Sequence, residues 1–533
     1  MKWIPTTLPA VPLIACIAFS VKLNAQDYFA RSIASPDVPP LQALFGKDLE
    51  VLPDGYSLVG WRATDNFNGM VINTDPQGMP RWAREYDAGY QEWFNLALHT
   101  GSGELIIGWN DPGDTIQPKR AGYVKLDANG NVLWSNTITP ATAVIRKILP
   151  LGDGYLLVGE TFNSASSQHK IMLVKFDGSG ATLWQRIWDA PNHITATAAV
   201  EIPAGGGFYV LGQTRHLNSE DAWIGRFTAD GLPVFSKRLG SLVDEEPNNL
   251  ALLSDGRLVM NGWIPGANDI AWLTLLDDEG NPQWSNIYQP TFVIYKYVDE
   301  YGDLHITPAG DIFFVNPSSP QGSFIVRAST TGVVKSVRFY PDTHDDPTKW
   351  HRLDPLPDGS WAAIGSLDVF EKTVCLAQLD SLGGLAGCCS PLQEIKSFAH
   401  ALVSANLPLT AAPEVQISAL PFTVHSFTVQ DRLVCAPPPD PYTIGNAFTP
   451  NDDQTNDTFQ PDFLCPVTAY KFQVFNRWGL LVFETREILK GWDGRFGGSE
   501  APSDTYVWVL HYELIENGAR VPALRKGNVT LLR

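Results

Sequence analysis

The chain has 533 residues, of which 44% are apolar and 18% are charged, and its formal net charge is −19. This length allows about two to four domains of ordinary size, and the composition excludes a chain that is disordered throughout. The negative charge argues against nucleic acid as a partner, because an acidic surface repels phosphate backbones.

The first residues have the organisation of a secretory signal peptide. Lys2 supplies a positive charge, an apolar stretch follows from Leu8 to Val21, and a small residue, Ala25, allows cleavage before the mature chain. This order predicts a signal peptide over residues 1–25. A lipoprotein signal with lipidation at Cys16 is the alternative, but the apolar run continues beyond that cysteine, which favours ordinary cleavage.

A repeat with a period of about fifty residues fills the middle of the chain. Its first element is a glycine followed by a short apolar strand, and it occurs seven times, at Gly55–Gly60, Gly103–Gly108, Gly154–Gly159, Gly207–Gly212, Gly256–Gly262, Gly310–Val315 and Gly359–Gly365. Its second element reads Asp-x-x-Gly-x-x-x-Trp, with clean copies that begin at Asp75, Asp127, Asp177 and Asp277. In this turn the Asp side chain caps the backbone and the glycine supplies a positive φ.

Strand-like runs between these elements give each repeat about four short strands, which is typical of a β-propeller blade. We therefore predict an all-β fold in which residues 27–390 form a propeller of about seven four-stranded blades. An array of β-sandwiches is the alternative, but an independent sandwich domain needs about 100 residues. The tryptophans of the turns are expected to fill the wedge between neighbouring blades.

Three tryptophans, Trp61, Trp109 and Trp263, follow the end of the same strand in different blades. Equivalent positions of a ring lie on one face, so these residues are candidates for a ligand-binding aromatic platform that takes a sugar or a peptide. Packing between blades is the alternative. No His-Glu-x-x-His helix, P-loop or Gly-x-Ser-x-Gly elbow occurs, so no catalytic residue is predicted.

Residues 391–439 are predicted to form a β-rich connector that ends in a proline-rich linker. The chain without its signal peptide keeps an odd number of cysteines, which is unusual for an oxidising compartment. A disulfide from Cys388 or Cys389 to Cys435 is the predicted bridge.

The pattern changes in residues 440–533, where alternating apolar strands and tight turns predict a small immunoglobulin-like β-sandwich. The defining segments are NAFTPNDDQTNDTF (Asn446–Phe459), YKFQVFNRWGLLVFE (Tyr470–Glu484), GWDG (Gly491–Gly494), APSDTYVWVLHYEL (Ala501–Leu514) and KGNVTLLR (Lys526–Arg533). Trp478 and Trp492 are expected to pack this sandwich.

In this order, these segments resemble the gliding-motility-associated C-terminal domain, the type B sorting domain of the type IX secretion system of Bacteroidota. The resemblance implies passage by the general secretory route. It then implies that residues 440–533 bind the type IX apparatus, which translocates the protein across the outer membrane. The protein is thus expected to be secreted or attached to the cell surface.

One loop departs from the family pattern, which reads Pro-Asn-Gly-Asp-Gly where this chain has Pro-Asn-Asp-Asp-Gln at residues 450–454. Asp452, Asp453, Asn456 and Asp457 still make an oxygen-rich loop, which is a candidate Ca²⁺ site. A hydrogen-bonded Asx turn is the alternative. No other cofactor is predicted.

Two functions are compatible with this organisation. The first is a surface or secreted binding protein, in which the propeller is the interaction platform for a glycan or a protein. The second is a glycan-degrading hydrolase or lyase with its site in the propeller mouth. Carboxylates or His and Arg side chains clustered at the axis would distinguish them, and the lack of a catalytic motif favours the binding protein.

Overall fold

The computed structural model of the chain describes most of the region after the signal peptide. The described residues are 30–34, 44–63, 67–101, 103–112, 120–139, 142–163, 168–216, 219–265, 270–290, 302–318, 322–341, 349–367, 373–381, 383–384, 395–427, 429–433, 442–451, 456–463, 467–488, 490–516 and 519–533. These segments form β-strands and turns, and none of them supplies a helix able to cross a membrane.

The repeats fold into successive antiparallel sheets, as the period predicts. The first strand of the chain is β1 (Ala30–Ala34). Blades 1 to 3 contain β2 (Leu44–Leu52), β3 (Gly55–Ala63), β4 (Phe67–Thr74), β5 (Pro80–Asp87), then β6 (Trp93–Thr100), β7 (Glu104–Asp111), β8 (Arg120–Leu126), β9 (Val132–Thr139), then β10 (Ala143–Leu151), β11 (Gly154–Asn163), β12 (Gln168–Phe176) and β13 (Thr182–Asp189).

Blades 4 to 7 continue in the same way, except that blade 7 takes only three strands from this region. They contain β14 (Ala198–Glu201), β15 (Phe208–His216), β16 (Ser219–Phe227), β17 (Pro233–Gly240), then β18 (Glu246–Leu252), β19 (Leu258–Ile264), β20 (Ile270–Leu276), β21 (Pro282–Pro290), then β22 (Asp303–Ile306), β23 (Ile312–Ser318), β24 (Gly322–Ala328), β25 (Val334–Pro341), then β26 (Lys349–Pro355), β27 (Trp361–Leu367) and β28 (Thr373–Leu379).

The ring is closed by the N-terminal strand. β1 pairs antiparallel with β28 and so becomes the fourth strand of blade 7, with Ala30 opposite Ala377 and Ile33 opposite Val374. The first strands of successive blades contact one another in a complete cycle, from β2 through β26 and back to β2. Residues 30–379 therefore form a seven-bladed propeller, as predicted, whose closure joins residues from both ends of the repeat region.

The segment predicted as a connector adds outer strands to the propeller. We call residues 395–433 the belt. Its strands are β29 (Ile395–Ala399), β30 (Val403–Asn406), β31 (Thr410–Ala412), β32 (Gln416–Ala419), β33 (Thr423–Ser426) and β34 (Gln430–Leu433). They pair in turn with the fourth strands of blades 5, 4, 3, 2, 1 and 7, so the chain travels back around the ring in reverse order.

The belt is packed as well as hydrogen-bonded. Leu407 and Val415 are buried in the cores between blades. Phe422 makes edge-on contacts with Tyr86 and Trp109, with ring centroids 6.5 and 6.2 Å apart. The belt therefore contributes to the hydrophobic core as well as covering the open edges of six sheets.

The Asp-x-x-Gly turns hold neighbouring blades together. Asp75 Oδ1 accepts the backbone N–H groups of Gln77 and Met79 at 2.9 and 2.8 Å. The indole of Trp82, which follows this turn, lies against Gly130 in the corresponding turn of blade 2. Trp134 repeats the relation with blade 3 and donates its indole N–H to Gly178 O at 3.0 Å. The predicted wedge of tryptophans between blades is confirmed.

The C-terminal residues form a β unit with its own core. Its strands are β35 (Tyr442–Ile444), β36 (Ala447–Phe448), β37 (Pro461–Phe463), β38 (Val467–Phe475), β39 (Leu481–Thr485), β40 (Arg495–Phe496), β41 (Ser499–Glu500), β42 (Thr505–Glu516) and β43 (Ala519–Leu531). A five-stranded sheet runs in the order β36-β43-β42-β38-β39, and β35 pairs with β37 in a second, two-stranded sheet.

The two tryptophans that were expected to pack this unit differ in their burial. Trp492 is fully buried and contacts Phe448 and Tyr506, as expected. The expectation for Trp478 is wrong, because its side chain is 82% exposed. Trp478 lies in the turn between β38 and β39, at the edge of the sheet, where no strand of the described residues pairs beyond β39.

Candidate functional site

The first strands of the blades place two tiers of side chains around the propeller axis. The register with the second strands shows which residues are equivalent. The first tier is Asp48, Ala97, Lys147, Ala198, Asn249, Asp303 and Arg352, and the second is Glu50, His99, Leu149, Val200, Ala251, His305 and Asp354. Blades 6, 7 and 1 contribute a titratable or charged side chain to both tiers, whereas blade 4 contributes only apolar ones.

We call the six charged or titratable tier residues of blades 6, 7 and 1 the axial cluster. Carboxylates of this cluster connect adjacent blades. Asp48 Oδ2 accepts the backbone N–H of Ala97 at 2.8 Å, and Glu50 Oε2 accepts that of His99 at 2.8 Å. Asp303 Oδ2 accepts the N–H of Leu353 at 2.9 Å. The inner edge of a first strand has no further strand to pair with, so these acceptors satisfy N–H groups that face the axis.

Basic side chains lie among these acids. The guanidinium of Arg352 is 3.6 Å from both Asp48 Oδ1 and Asp303 Oδ1, and His305 Nε2 is 3.0 Å from Asp303 Oδ2. Burial alone would raise the pKa of Asp303, but His305, Arg352 and the N–H of Leu353 hold it well below its ordinary value. Burial likewise opposes charge on His305, yet Asp303 raises its pKa.

Two further acids of the cluster resist ionisation. Burial raises the pKa of Glu50 to about 8, and the nearby charges of Asp354 and Asp48 add to the effect. Burial also raises the pKa of Asp354 to about 7, where His305 opposes the shift and Asp303 and Asp48 increase it. Carboxyl groups of this kind donate hydrogen bonds at neutral pH and gain affinity for a cationic group as they ionise.

The second tier makes stability depend on pH. An acid whose pKa is raised from 4.5 to about 8 stabilises the folded chain below pH 4.5, and this contribution is lost as the pH rises toward 8. Between pH 5 and pH 8.5 the ionisation of Glu50 should lower the free energy of unfolding by on the order of 1–3 kcal/mol, and we expect Glu50→Gln to abolish this decrease. Urea unfolding followed by tryptophan fluorescence at both pH values measures the difference.

Glu487→Gln is the control for this prediction, because the Glu487 side chain is 77% exposed. That variant should keep the pH dependence of the unmodified chain. Equal pH slopes for Glu50→Gln and the unmodified chain would contradict a role for the Glu50 proton.

A second polar group lies in a small cleft of blade 3. Glu160 is buried and pairs with Arg146 Nη2 at 2.8 Å and His169 Nδ1 at 3.2 Å. Burial opposes its ionisation, but these two neighbours lower its pKa. The rings of His169 and His193 are 4.4 Å apart, and burial together with the charge of His169 lowers the pKa of His193.

Glu160 occupies the position of the predicted aromatic platform, where blades 1, 2 and 5 carry tryptophans. Trp61 is stacked between Phe45 and Trp93 at centroid distances of 3.6 and 4.9 Å. Trp109 has no exposed surface. Trp263 is also buried. In this structure the three indoles belong to the packing of the blades and present no open face to a ligand.

Glu160 and the three tryptophans lie near the ends of the second strands of their blades, and the direction of these strands places all four residues at one face of the propeller. The Asp-x-x-Gly turns and the turns between first and second strands lie at the opposite face, since neighbouring strands are antiparallel. The ends of β7, β21 and β25 lie at the same face as the cleft.

Several predicted site residues lie outside the described part of the chain. They are Asp452, Asp453, Cys388, Cys389 and Cys435. Asn456 has a positive φ of 55°, and Asp457 Oδ1 accepts the N–H of Asn451 at 2.9 Å. Within the described residues no group of three His, Cys, Asp or Glu side chains has the geometry of a metal site. Calcium binding and the disulfide therefore stay predictions.

Sequence reasoning missed the axial tiers. The signal was present as charged residues within otherwise apolar first strands, such as Asp48 and Glu50 in LFGKDLEVL. Their convergence could be seen only from the register of every blade, since Asp48 and Asp354 lie far apart in the sequence.

Comparison with known proteins places the C-terminal unit. Residues 442–531 match the family model of the CHU_C type IX secretion signal domain, which confirms the predicted resemblance. The chain thus carries a signal that is recognised by the type IX secretion machinery for export out of the cell or to its surface. No curated protein matches the chain.

Solved structures that match the chain include three proteins of low sequence identity. The extracellular domains 1-2 of Drosophila Semaphorin 1a show 8% identity and a TM-score of 0.39, over 64% of this chain and 86% of that one. A eukaryotic initiation factor shows 9% identity and a TM-score of 0.33, over 71% of this chain and 98% of that one. The β-propeller domain of the Trilobed protease from Pyrococcus furiosus shows 11% identity and a TM-score of 0.35, over 63% of this chain and 93% of that one. Similarity at this level says nothing about activity.

Proposed function

We propose that the protein is a type IX cargo whose propeller acts outside the cell as a binding platform for a glycan or a protein. The match of residues 442–531 to a secretion signal domain carries this proposal. The propeller ring is closed by β1, and the last belt strand, which ends at Leu433, pairs with the outer edge of β1. The C-terminal unit has a separate core that begins at Tyr442. Export and binding are therefore assigned to different parts of the chain.

The asymmetry of the axial tiers supports binding by the propeller. Blades 6, 7 and 1 contribute a charged or titratable side chain to both tiers on one side of the axis. On the other side, blades 2 to 5 contribute mainly apolar residues, together with His99, Lys147 and Asn249. Ligand sites commonly combine apolar walls with a few convergent polar groups. Asp354 and Glu50, with their raised pKa values, are the groups of this cluster with hydrogen bonds to offer to a polar ligand.

A glycan-degrading hydrolase or lyase is the second candidate. The observation in its favour is that Glu50 and Asp354 sit in the same tier with raised pKa values, a property of general acids. Incubation with polysaccharides separates the two functions. Cleavage of the polysaccharide that is abolished by Glu50→Gln would favour the enzyme. Binding of a polysaccharide without cleavage would favour the platform.

Removal of the C-terminal unit tests the export assignment. In a bacterium with type IX secretion, a chain that ends at residue 439 is expected to accumulate in the periplasm, and its level outside the cell should fall to background. The physical reason is that the propeller retains its closed ring but loses the surface that the machinery recognises. Immunoblots of periplasm, cell surface and medium measure the distribution.

The reciprocal fusion is the control for that truncation. A folded periplasmic protein that carries residues 440–533 at its C-terminus should gain export. Normal amounts of the truncated chain in the medium or at the surface would contradict the proposal.

A further inference from the structure

The turn between β38 and β39 displays an aromatic side chain on a rigid support. Asn476 Oδ1 accepts the N–H groups of Trp478 and Leu480 at 2.9 and 3.0 Å, and Gly479 adopts a positive φ of 80°. Arg477 is 5.3 Å from the centre of the Trp478 ring and pairs with Asp504 at 3.2 Å. The indole is therefore held in place while it remains exposed.

Apolar neighbours extend this exposed surface. Leu480 is 52% exposed, and Leu481, the first residue of β39, is 37% exposed. β39 is the last strand of its sheet in the described part of the unit, and it pairs only with β38 there. We call Arg477, Trp478, Leu480 and Leu481 the Trp478 ridge.

Among the residues that the structure describes, the apolar side chains of the ridge lie outside the core of their own unit. The core there is formed by Trp492, Trp508, Phe472 and their neighbours, and Trp478 is absent from it. In the propeller the turn tryptophans behave differently, since Trp82 and Trp134 are partly buried and lie against the glycine of the next blade's turn. Trp478, Leu480 and Leu481 instead form neighbouring exposed apolar side chains, and such a patch is a candidate surface for a partner.

The charge of the unit separates it from the rest of the chain. Residues 442–533 contain nine Lys and Arg and eleven Asp and Glu, so this unit is nearly neutral in a chain of net charge −19. An apolar contact is thus possible here without the electrostatic repulsion that the propeller surface would add.

We infer that the Trp478 ridge is the surface by which the secretion signal domain engages a protein component of the type IX machinery. The partner chemistry that fits is an apolar protein groove that receives the indole beside the open edge of β39. This inference rests on the proposed export function. It goes further because it assigns recognition to four residues of one turn and strand.

The test uses the full chain expressed in a bacterium with type IX secretion. Trp478→Ala is expected to reduce the exported fraction by about tenfold or more, because aromatic anchors dominate protein contacts. Trp478→Phe should restore most of it. Leu524→Ala, which removes another exposed apolar side chain from β43, is the matched control and should be exported normally. Thermal unfolding of each purified variant should match the unmodified chain.

Three outcomes would overturn the inference. The first is normal export of Trp478→Ala in cells where the chain that ends at residue 439 is retained, which would spare the export function and refute only the ridge. The second is an equal defect in Leu524→Ala. The third is binding of the unmodified chain, but not Trp478→Ala, to vesicles of phosphatidylethanolamine and phosphatidylglycerol, which would make the occupant lipid.

Discussion

Gly130→Ala is expected to destabilise the propeller by about 2–4 kcal/mol, although it adds a single methyl group. A Cβ at this position would lie 2.7 Å from the Trp82 ring and 2.9 Å from the Tyr86 hydroxyl. Both side chains belong to the preceding blade, and Tyr86 donates its hydroxyl to Gly130 O at 2.8 Å. The methyl group would therefore push neighbouring blades apart, and urea unfolding of the full chain measures the loss.

Gly256→Ala separates this steric effect from backbone strain. Gly256 has a φ of 89°, close to the 78° of Gly130, but a Cβ there would have no atom within 4 Å. Its cost should be about 1 kcal/mol, the ordinary penalty for a side chain in the left-handed region. Equal losses in the two variants would show that the turn, rather than the contact between blades, requires the glycine.

Phe422→Ala is expected to cost about 2–4 kcal/mol, because it removes an aromatic ring from the contact between belt and blades. Phe422 lies between the belt strands of blades 2 and 1, and its ring meets Tyr86, Phe94 and Trp109 edge-on. If the belt is an integral part of the propeller, the variant should unfold at lower denaturant concentration in a single transition. Thermal and urea unfolding of the full chain measure both quantities.

Val403→Ala is the matched belt control. Val403 is 62% exposed in β30, so its truncation should change stability by less than about 0.5 kcal/mol. A belt that acts only as a loose connector predicts small and similar effects for both variants. Such a result would contradict the packing described for Phe422.

Local chemistry explains why the architecture was predictable. Asp75 and Gly78 specify their turn within a few residues, through side-chain caps and a positive φ, and copies of that turn recur along the chain. The apolar strands between turns predict sheets in the same way, because alternation and turn spacing are properties of neighbouring residues. The secretion signal domain was equally accessible, since its segments occur in order over residues 442–531.

The candidate sites were less predictable, because they depend on which distant residues meet. Trp61 and Trp109 follow the same glycine in their repeats, but the sequence does not show whether their rings face solvent or the next blade. Trp478 shows the reverse case. It lies in a turn whose conformation is readable from Asn476 and Gly479, yet its exposure depends on β39 being the edge of the sheet.

By itself the sequence determined the class of fold, the number of repeats and the presence of an export domain. These are written in short-range patterns of turns and strands. Only the tertiary structure decided that β1 completes blade 7, that the belt returns around the ring in reverse order, and that Asp303, Arg352 and Glu50 share the axis. The physical reason is that an open sheet edge accepts any strand of suitable length, so the partner of each edge is selected by the closure of the whole ring.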